Sequence, residues 1–141
     1  HEPVMAMLSY SNFGADKQGS PLKVHEAIDF LHKTYPDMVV DGEMQVNFAL
    51  DKKLRDDMYP FNKLKGQDVN TLIFPNLSSA NSAYKLLDTL GITETIGPIQ
   101  MGLNKPIHFT DVESSTRDIV NLTTVAVVDA IVQEQIEKEN R

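Results

Sequence analysis

Between residues 9 and 19 the chain reads Ser-Tyr-Ser-Asn-Phe-Gly-Ala-Asp-Lys-Gln-Gly. Hydroxyls, an amide side chain and glycine-loosened backbone N–H groups could hold a small anion there. A loop between a strand end and a helix N-terminus offers oriented donors of that kind. The same residues also suit an ordinary strand–helix connection, and Gly14 and Gly19 have neither Walker nor dinucleotide spacing. Ser115-Thr116-Arg117-Asp118 has the spacing of a capping box, which gives Asp118 a structural task at the third helical position. His25, Asp29 and His32 fall at i, i+4 and i+7 and could be drawn as a metal site. Nothing else need converge on them, so a solvated polar face is favoured and no metal is expected. Asp41, Glu43 and Asp51 suit helix-capping anions better than acid–base groups. With no cysteine and no convincing Ser/His/Asp trio, no nucleophile can be assembled.

The elements that must position these groups follow from periodicity. Val4–Ser9 predicts a buried strand and Asn12–Gly19 a loop. Ser20-Pro21 is a helix start with a hydroxyl cap and a proline at the first helical position. Val24, Ile28, Leu31 and Tyr35 form one apolar stripe, closed by Pro36. Met38–Val40 predicts a second strand, ended by Asp41-Gly42. Glu43–Tyr59 predicts two short helices broken near Asp51, and Pro60–Asn70 a polar connection. Thr71–Phe74 is a third strand, short and without alternation, as in a sheet covered on both faces. Ser78 or Ser79 would cap a helix striped by Ala83, Leu86, Leu87 and Leu90, with Gly91 its left-handed end. Ile99–Met101 and Ile107–Phe109 predict two more strands around a Gly102–Pro106 turn. The last helix starts at Ser114 or Ser115 and runs to about Glu137. Its middle, Val120–Val132, is apolar nearly all round, which predicts burial on more than one side, within the domain or against a second copy. Strands alternating with helices point to an α/β fold with a largely parallel sheet.

The 141 residues suit one domain or a large piece of one. Without cysteine, no disulfide is possible and a reducing cytoplasm is expected. The net charge of −7 repels a polyanion, and no basic stripe with interleaved aromatics appears, so nucleic acid is not an expected partner. Uninterrupted apolar runs such as Val4–Leu8 and Val125–Val128 are too short to cross a bilayer, and no signal peptide is expected. His1 reads as a tag remnant or the cut edge of a longer chain.

Five blocks resemble one family. Met7-Leu8-Ser9-Tyr10-Ser11 followed by Gly14 resembles the strand and loop of phosphate acetyltransferases. Val39-Val40-Asp41-Gly42-Glu43-Met44-Gln45 resembles their DGELQ block. Leu72–Leu77 with Ala80-Asn81 and Tyr84-Lys85-Leu86 resembles LIFPDL.AGN..YKL. Ile96–Ile99, Gly102-Leu103 and Lys105-Pro106 resemble IGPI..GL.KPV, and Asp118-Ile119-Val120 the opening of the terminal helix. The blocks keep order and spacing over essentially the whole chain. The resemblance implies the C-terminal portion of a phosphotransacetylase fold of isocitrate dehydrogenase type, three-layer α/β/α, built on a homodimer or higher oligomer. Residues 1–141 would then be the C-terminal part of one such domain, without the arginines of its earlier portion.

Active members carry Ser-Arg-Gly just before the last helix, with an aspartate at the helix start to deprotonate the CoA thiol. By position the aspartate is Asp118, while Asp111, Val112 and Glu113 replace serine, arginine and glycine. Losing the arginine deletes a charge-assisted bidentate phosphate contact. Each added carboxylate close to phosphate costs roughly 1–4 kcal/mol of repulsion. The departure resembles the phosphotransacetylase-like domain at the end of bacterial NADP-dependent malic enzymes, which serves assembly and regulation. The implied role is a dimerising sensor of acetyl-CoA or CoA with no confident catalytic residue. Its ligand candidates are Ser9, Ser11, Asn12, Phe13, Gly14, Asn76, Asp111 and Asp118. No cofactor is expected in this segment; NADP and a divalent metal would belong to a malic-enzyme module outside it. Rival readings are a working phosphate acetyl- or butyryltransferase and a purely structural dimerisation module.

Overall fold

The computed structural model describes residues 2–92 and 94–139. The chain divides into two compact units, His1–Leu86 and Leu87–Arg141. In the first, β1 (Met5–Leu8) lies between β2 (Val40–Met44) and β3 (Thr71–Ile73), giving the order β2-β1-β3. Both pairings are parallel, with Met5 opposite Val40 on one side and Thr71 on the other. The α/β, parallel-sheet expectation therefore holds. Ala6, Leu8, Met44, Ala49 and Leu64 form the core, with Val4, Phe13, Phe48, Leu72 and Phe74 packed around it.

Helix α1 (Gly19–Thr34) carries chain from β1 to β2. Val24 and Ile28 bury its stripe, while Tyr35 lies outside as the C-cap and donates its N–H to the Leu31 carbonyl. The start differs from expectation. Gln18 occupies the cap position in an extended conformation without a side-chain bond, so Ser20 is already inside the helix and Pro21 is its third residue rather than its first. The chain reaches that geometry through Asp16, whose carboxylate accepts the Gln18 N–H at 3.0 Å.

Strand β2 is the larger correction. Asp41-Gly42 does not end it; all five residues from Val40 to Met44 are buried strand. Gly42 has φ 147°, and a Cβ there would stand 2.5 Å from the Met7 carbonyl oxygen. Only glycine lets β1 come so close, so a dipeptide with turn chemistry continues the ladder. Met7 is opposite Gly42 but Leu8 is opposite Met44, which leaves Glu43 as the extra residue of a β-bulge.

The break near Asp51 is as expected. Helices α2 (Val46–Leu50) and α3 (Lys52–Met58) meet at Asp51, which caps α3 by accepting the Leu54 N–H at 2.9 Å. Behind α3, the Arg55 guanidinium is fully buried and donates to the carbonyls of Ala49, Leu64 and Gln67. This knot orders Pro60–Asn70, a stretch of no regular structure.

Helix α4 (Leu77–Leu90) begins after β3. Its cap is Asn76 rather than Ser78 or Ser79: the Asn76 side chain accepts the Ser79 N–H at 3.0 Å. Gly91 is left-handed, φ 63°, as expected. No residue of α4 is buried, so its stripe is uncovered.

In the second unit, helix α5 (Thr116–Glu139) is the main element. The strands expected at Ile99–Met101 and Ile107–Phe109 do not form; among the described residues, 94–110 contain no strand. Pro98 and Pro106 supply no N–H to a ladder, and neither run is paired with another strand. Within this chain, α5 is not covered on several sides. Leu122 alone is buried, while Val120, Val128 and Ile131 are each more than half exposed. Taken as a helix rather than as uninterrupted runs, Thr116–Glu139 is long and apolar enough to cross a bilayer.

Candidate functional site

In parallel α/β sheets, ligands meet the loops at the carboxyl ends of strands, at the point where connections leave in opposite directions. With the order β2-β1-β3, that point lies between β1 and β3. The loops there are Ser9–Gln18 and Phe74–Asn76, so the structure brings Ser9, Ser11, Asn12, Phe13, Gly14 and Asn76 to one sheet edge. Asn76 ties its side chain to the first turn of α4, whose opening N–H groups lack helical partners.

The Ser9–Gly14 loop is pinned to the end of β2. Ser9 N–H donates to the Met44 carbonyl at 2.9 Å and Phe13 N–H to the Glu43 carbonyl at 2.7 Å. Gln45 N–H donates to Asn12 Oδ1 at 2.8 Å, and Gln45 Nε2 to the Tyr10 carbonyl at 2.7 Å. Gly14 N–H and the Ser11 hydroxyl donate to Glu43 Oε1 at 2.6 and 3.3 Å. Two donors of the kind that hold an external anion are thus engaged by a resident carboxylate. The Phe13 ring, from a residue at φ 47°, packs on Tyr59 and Phe61 with centroids 4.7 and 5.3 Å away. At the rim, Tyr10 donates to Asp16 at 2.7 Å, and that bond to a carboxylate raises the phenol pKa.

Glu43, Gln45, Tyr59 and Phe61 are the residues sequence reasoning missed here. Glu43 and Asp41 were expected as capping anions; both are buried in β2 instead, and Asp41 accepts the Lys63 N–H at 2.6 Å. The bulge that turns Glu43 toward the loop has no local sequence signal. The polar face of α1 also changes meaning. His25 Nδ1 lies 3.2 Å from Glu43 Oε2 and His32 Nε2 lies 2.8 Å from the Val40 carbonyl. Two of its three members therefore bond to β2 while staying partly exposed, and Asp29 is mainly solvated.

In the second unit, Asp111 and Asp118 line one small hollow of about 40 Å³ with Ile96, Pro98, Phe109 and Ser114. That is room for about one water molecule. The capping box is formed as expected: Asp118 accepts from the Ser115 N–H at 2.8 Å and hydroxyl at 2.7 Å, and its own N–H donates back to Ser115 Oγ. The Ser115 hydroxyl first, then its backbone N–H, lowers the Asp118 pKa. A carboxylate so stabilised as an anion is a weaker proton acceptor. Val112 is fully exposed and supplies no charge. The cations described in this unit are Lys105, Arg117 and Lys138, and each is paired with a carboxylate, Glu137, Glu94 and Glu134 respectively.

The fold and its strand-end loops define an open, parallel α/β domain. Within that class, residues 1–127 match the family described as "Phosphate acetyl/butaryl transferase", and the chain belongs to this family. It is similar to an NADP-dependent malic enzyme of Salmonella typhimurium, 39% identical over 132 residues that cover 92% of this chain and 17% of that protein. It is also similar to a phosphate acetyltransferase of Clostridium acetobutylicum, 37% identical over 129 residues, covering 92% and 38%. The crystal structure of a phosphotransacetylase from Streptococcus pyogenes matches with a TM-score of 0.83 and 37% identity, covering 93% of this chain and 40% of that one. The chain thus spans a minor part of each of these relatives.

Proposed function

We propose that this chain is the C-terminal part of a phosphotransacetylase-like regulatory and dimerisation domain of a NADP-dependent malic enzyme, sensing acetyl-CoA without transferring its acyl group. The observation that carries this reading is the charge ahead of α5. Asp111, Val112 and Glu113 stand where active members have Ser-Arg-Gly, and the hollow beside Asp118 is lined by two carboxylates and no cation. Phosphoryl and acyl-phosphate chemistry depends on electrostatic stabilisation of the oxyanions. Phosphate would meet net repulsion here. The similarity to malic enzymes at 39% identity supports the same branch, and the uncovered α5 face supports burial against a second copy.

Isothermal titration of the full chain with acetyl-CoA and with CoA tests the ligand role; no heat with either would end it. The retained Asp118, and the 37% identity to a phosphate acetyltransferase, favour an active transferase as the second reading. Thiol-dependent release of phosphate from acetyl phosphate well above background would establish that reading and overturn the first. Localisation in the cytoplasm follows from the proposed malic-enzyme parent.

A further inference from the structure

We propose that Glu43 is the positioning residue of the Ser9–Gly14 loop, with His25 as the clamp that orients its carboxylate. The β1–β2 bulge makes Glu43 the unpaired residue of its strand, and bulges re-aim side chains in this way. Its side chain is fully buried. A buried carboxylate persists only when its oxygens are satisfied, and here one oxygen takes the Gly14 N–H and the Ser11 hydroxyl while the other faces His25 Nδ1.

The loop needs such a hold. Phe13 and Gly14 are successive residues at positive φ, 47° and 82°, and a non-glycine residue stays there only where its surroundings over-determine it. Both of their N–H groups end on Glu43, one on the backbone carbonyl and one on the carboxylate. His25 is the half-exposed member, with Asp29 of the same helix 3.9 Å from its Nε2. In the clamp as proposed, the His25 ring donates from Nδ1 to Glu43 Oε2. The clamp stands on this geometry alone; its consequence for ligand affinity rests on the function proposed above.

The test is amide hydrogen exchange and ring ¹⁵N NMR on the full chain, with acetyl-CoA titrations in parallel. Glu43→Gln keeps the volume but removes the charge, and should speed Gly14 exchange roughly tenfold while Met7 and Leu8 keep wild-type protection. Its amide now donates toward His25, so Nδ1 should lose its hydrogen to Nε2. His25→Ala should also loosen Gly14, whereas His25→Asn, which restores a donor near the Nδ1 position, should rescue it. Should Glu43→Gln fail to fold, the two His25 variants decide. Gly14 exchange within twofold of wild type in both Glu43→Gln and His25→Ala would overturn the clamp, as would failure of His25→Asn to protect better than His25→Ala. Faster Gly14 exchange with unchanged acetyl-CoA affinity upholds the clamp and removes the loop from the ligand site. Absence of acetyl-CoA binding by the wild type counts against the proposed function and leaves the exchange result to stand.

Discussion

Charge at single residues separates the sensor reading of this chain from the transferase reading. Asp111, Val112 and Glu113 present no cation to phosphate, and Lys105, Arg117 and Lys138 are held by carboxylates. Replacing the three residues together, Asp111→Ser, Val112→Arg and Glu113→Gly, should raise affinity for inorganic phosphate roughly tenfold or more, the worth of one charged hydrogen-bonding group. Equilibrium dialysis with labelled phosphate checks it, and unchanged affinity would show that the missing cation is not what limits binding. Asp118 carries a pH dependence of definite sign. Its pKa is lowered in the folded state by the Ser115 hydroxyl, then the Ser115 N–H. It therefore contributes stability above the ordinary carboxylate pKa, about 3.9, and that contribution is lost as pH falls through the lower folded value. Helicity followed by circular dichroism on acidification should fall less in Ser115→Ala than in wild type, since the variant has little of this contribution to lose. Equal acid losses would remove the box from the account.

At the scale of elements, close approach and burial decide what local signals cannot. Gly42→Ala places a Cβ 2.5 Å from the Met7 carbonyl at a φ that side chains rarely adopt. Urea unfolding should show a loss of about 3 kcal/mol or more. Arg55→Met leaves the Ala49, Leu64 and Gln67 carbonyls without their shared donor and should cost about 3 kcal/mol as well. Helix existence was legible throughout: apolar spacing placed α1, α4 and α5, and Asp51 placed the break between α2 and α3. Caps were less legible. Ser20, Ser78 and Ser79 have the right hydroxyl, but Gln18 and Asn76 stand where the chain enters each helix, and entry is set by the preceding strand. The strands expected at Ile99–Met101 and Ile107–Phe109 fail for a related reason, since a strand requires a neighbour and apolar composition alone supplies none.

Over the whole chain, the first unit encloses a core and the second buries little beyond Leu122. The exposed Val120, Val128 and Ile131 face of α5 is the surface proposed to meet a second copy. Val128→Asp should reduce the mass in solution from two chains to one, measured by sedimentation equilibrium; an unchanged mass would place the interface elsewhere. What the sequence determined by itself was the α/β class and the family resemblance, because residue type, order and periodicity are local quantities. Only the tertiary structure decided that Asp41-Gly42 continues a strand, that Glu43 accepts from the Ser9–Gly14 loop and that His25 lies beside its carboxylate. Those facts depend on which backbone lies alongside, and an interstrand distance is written in no single segment of the chain.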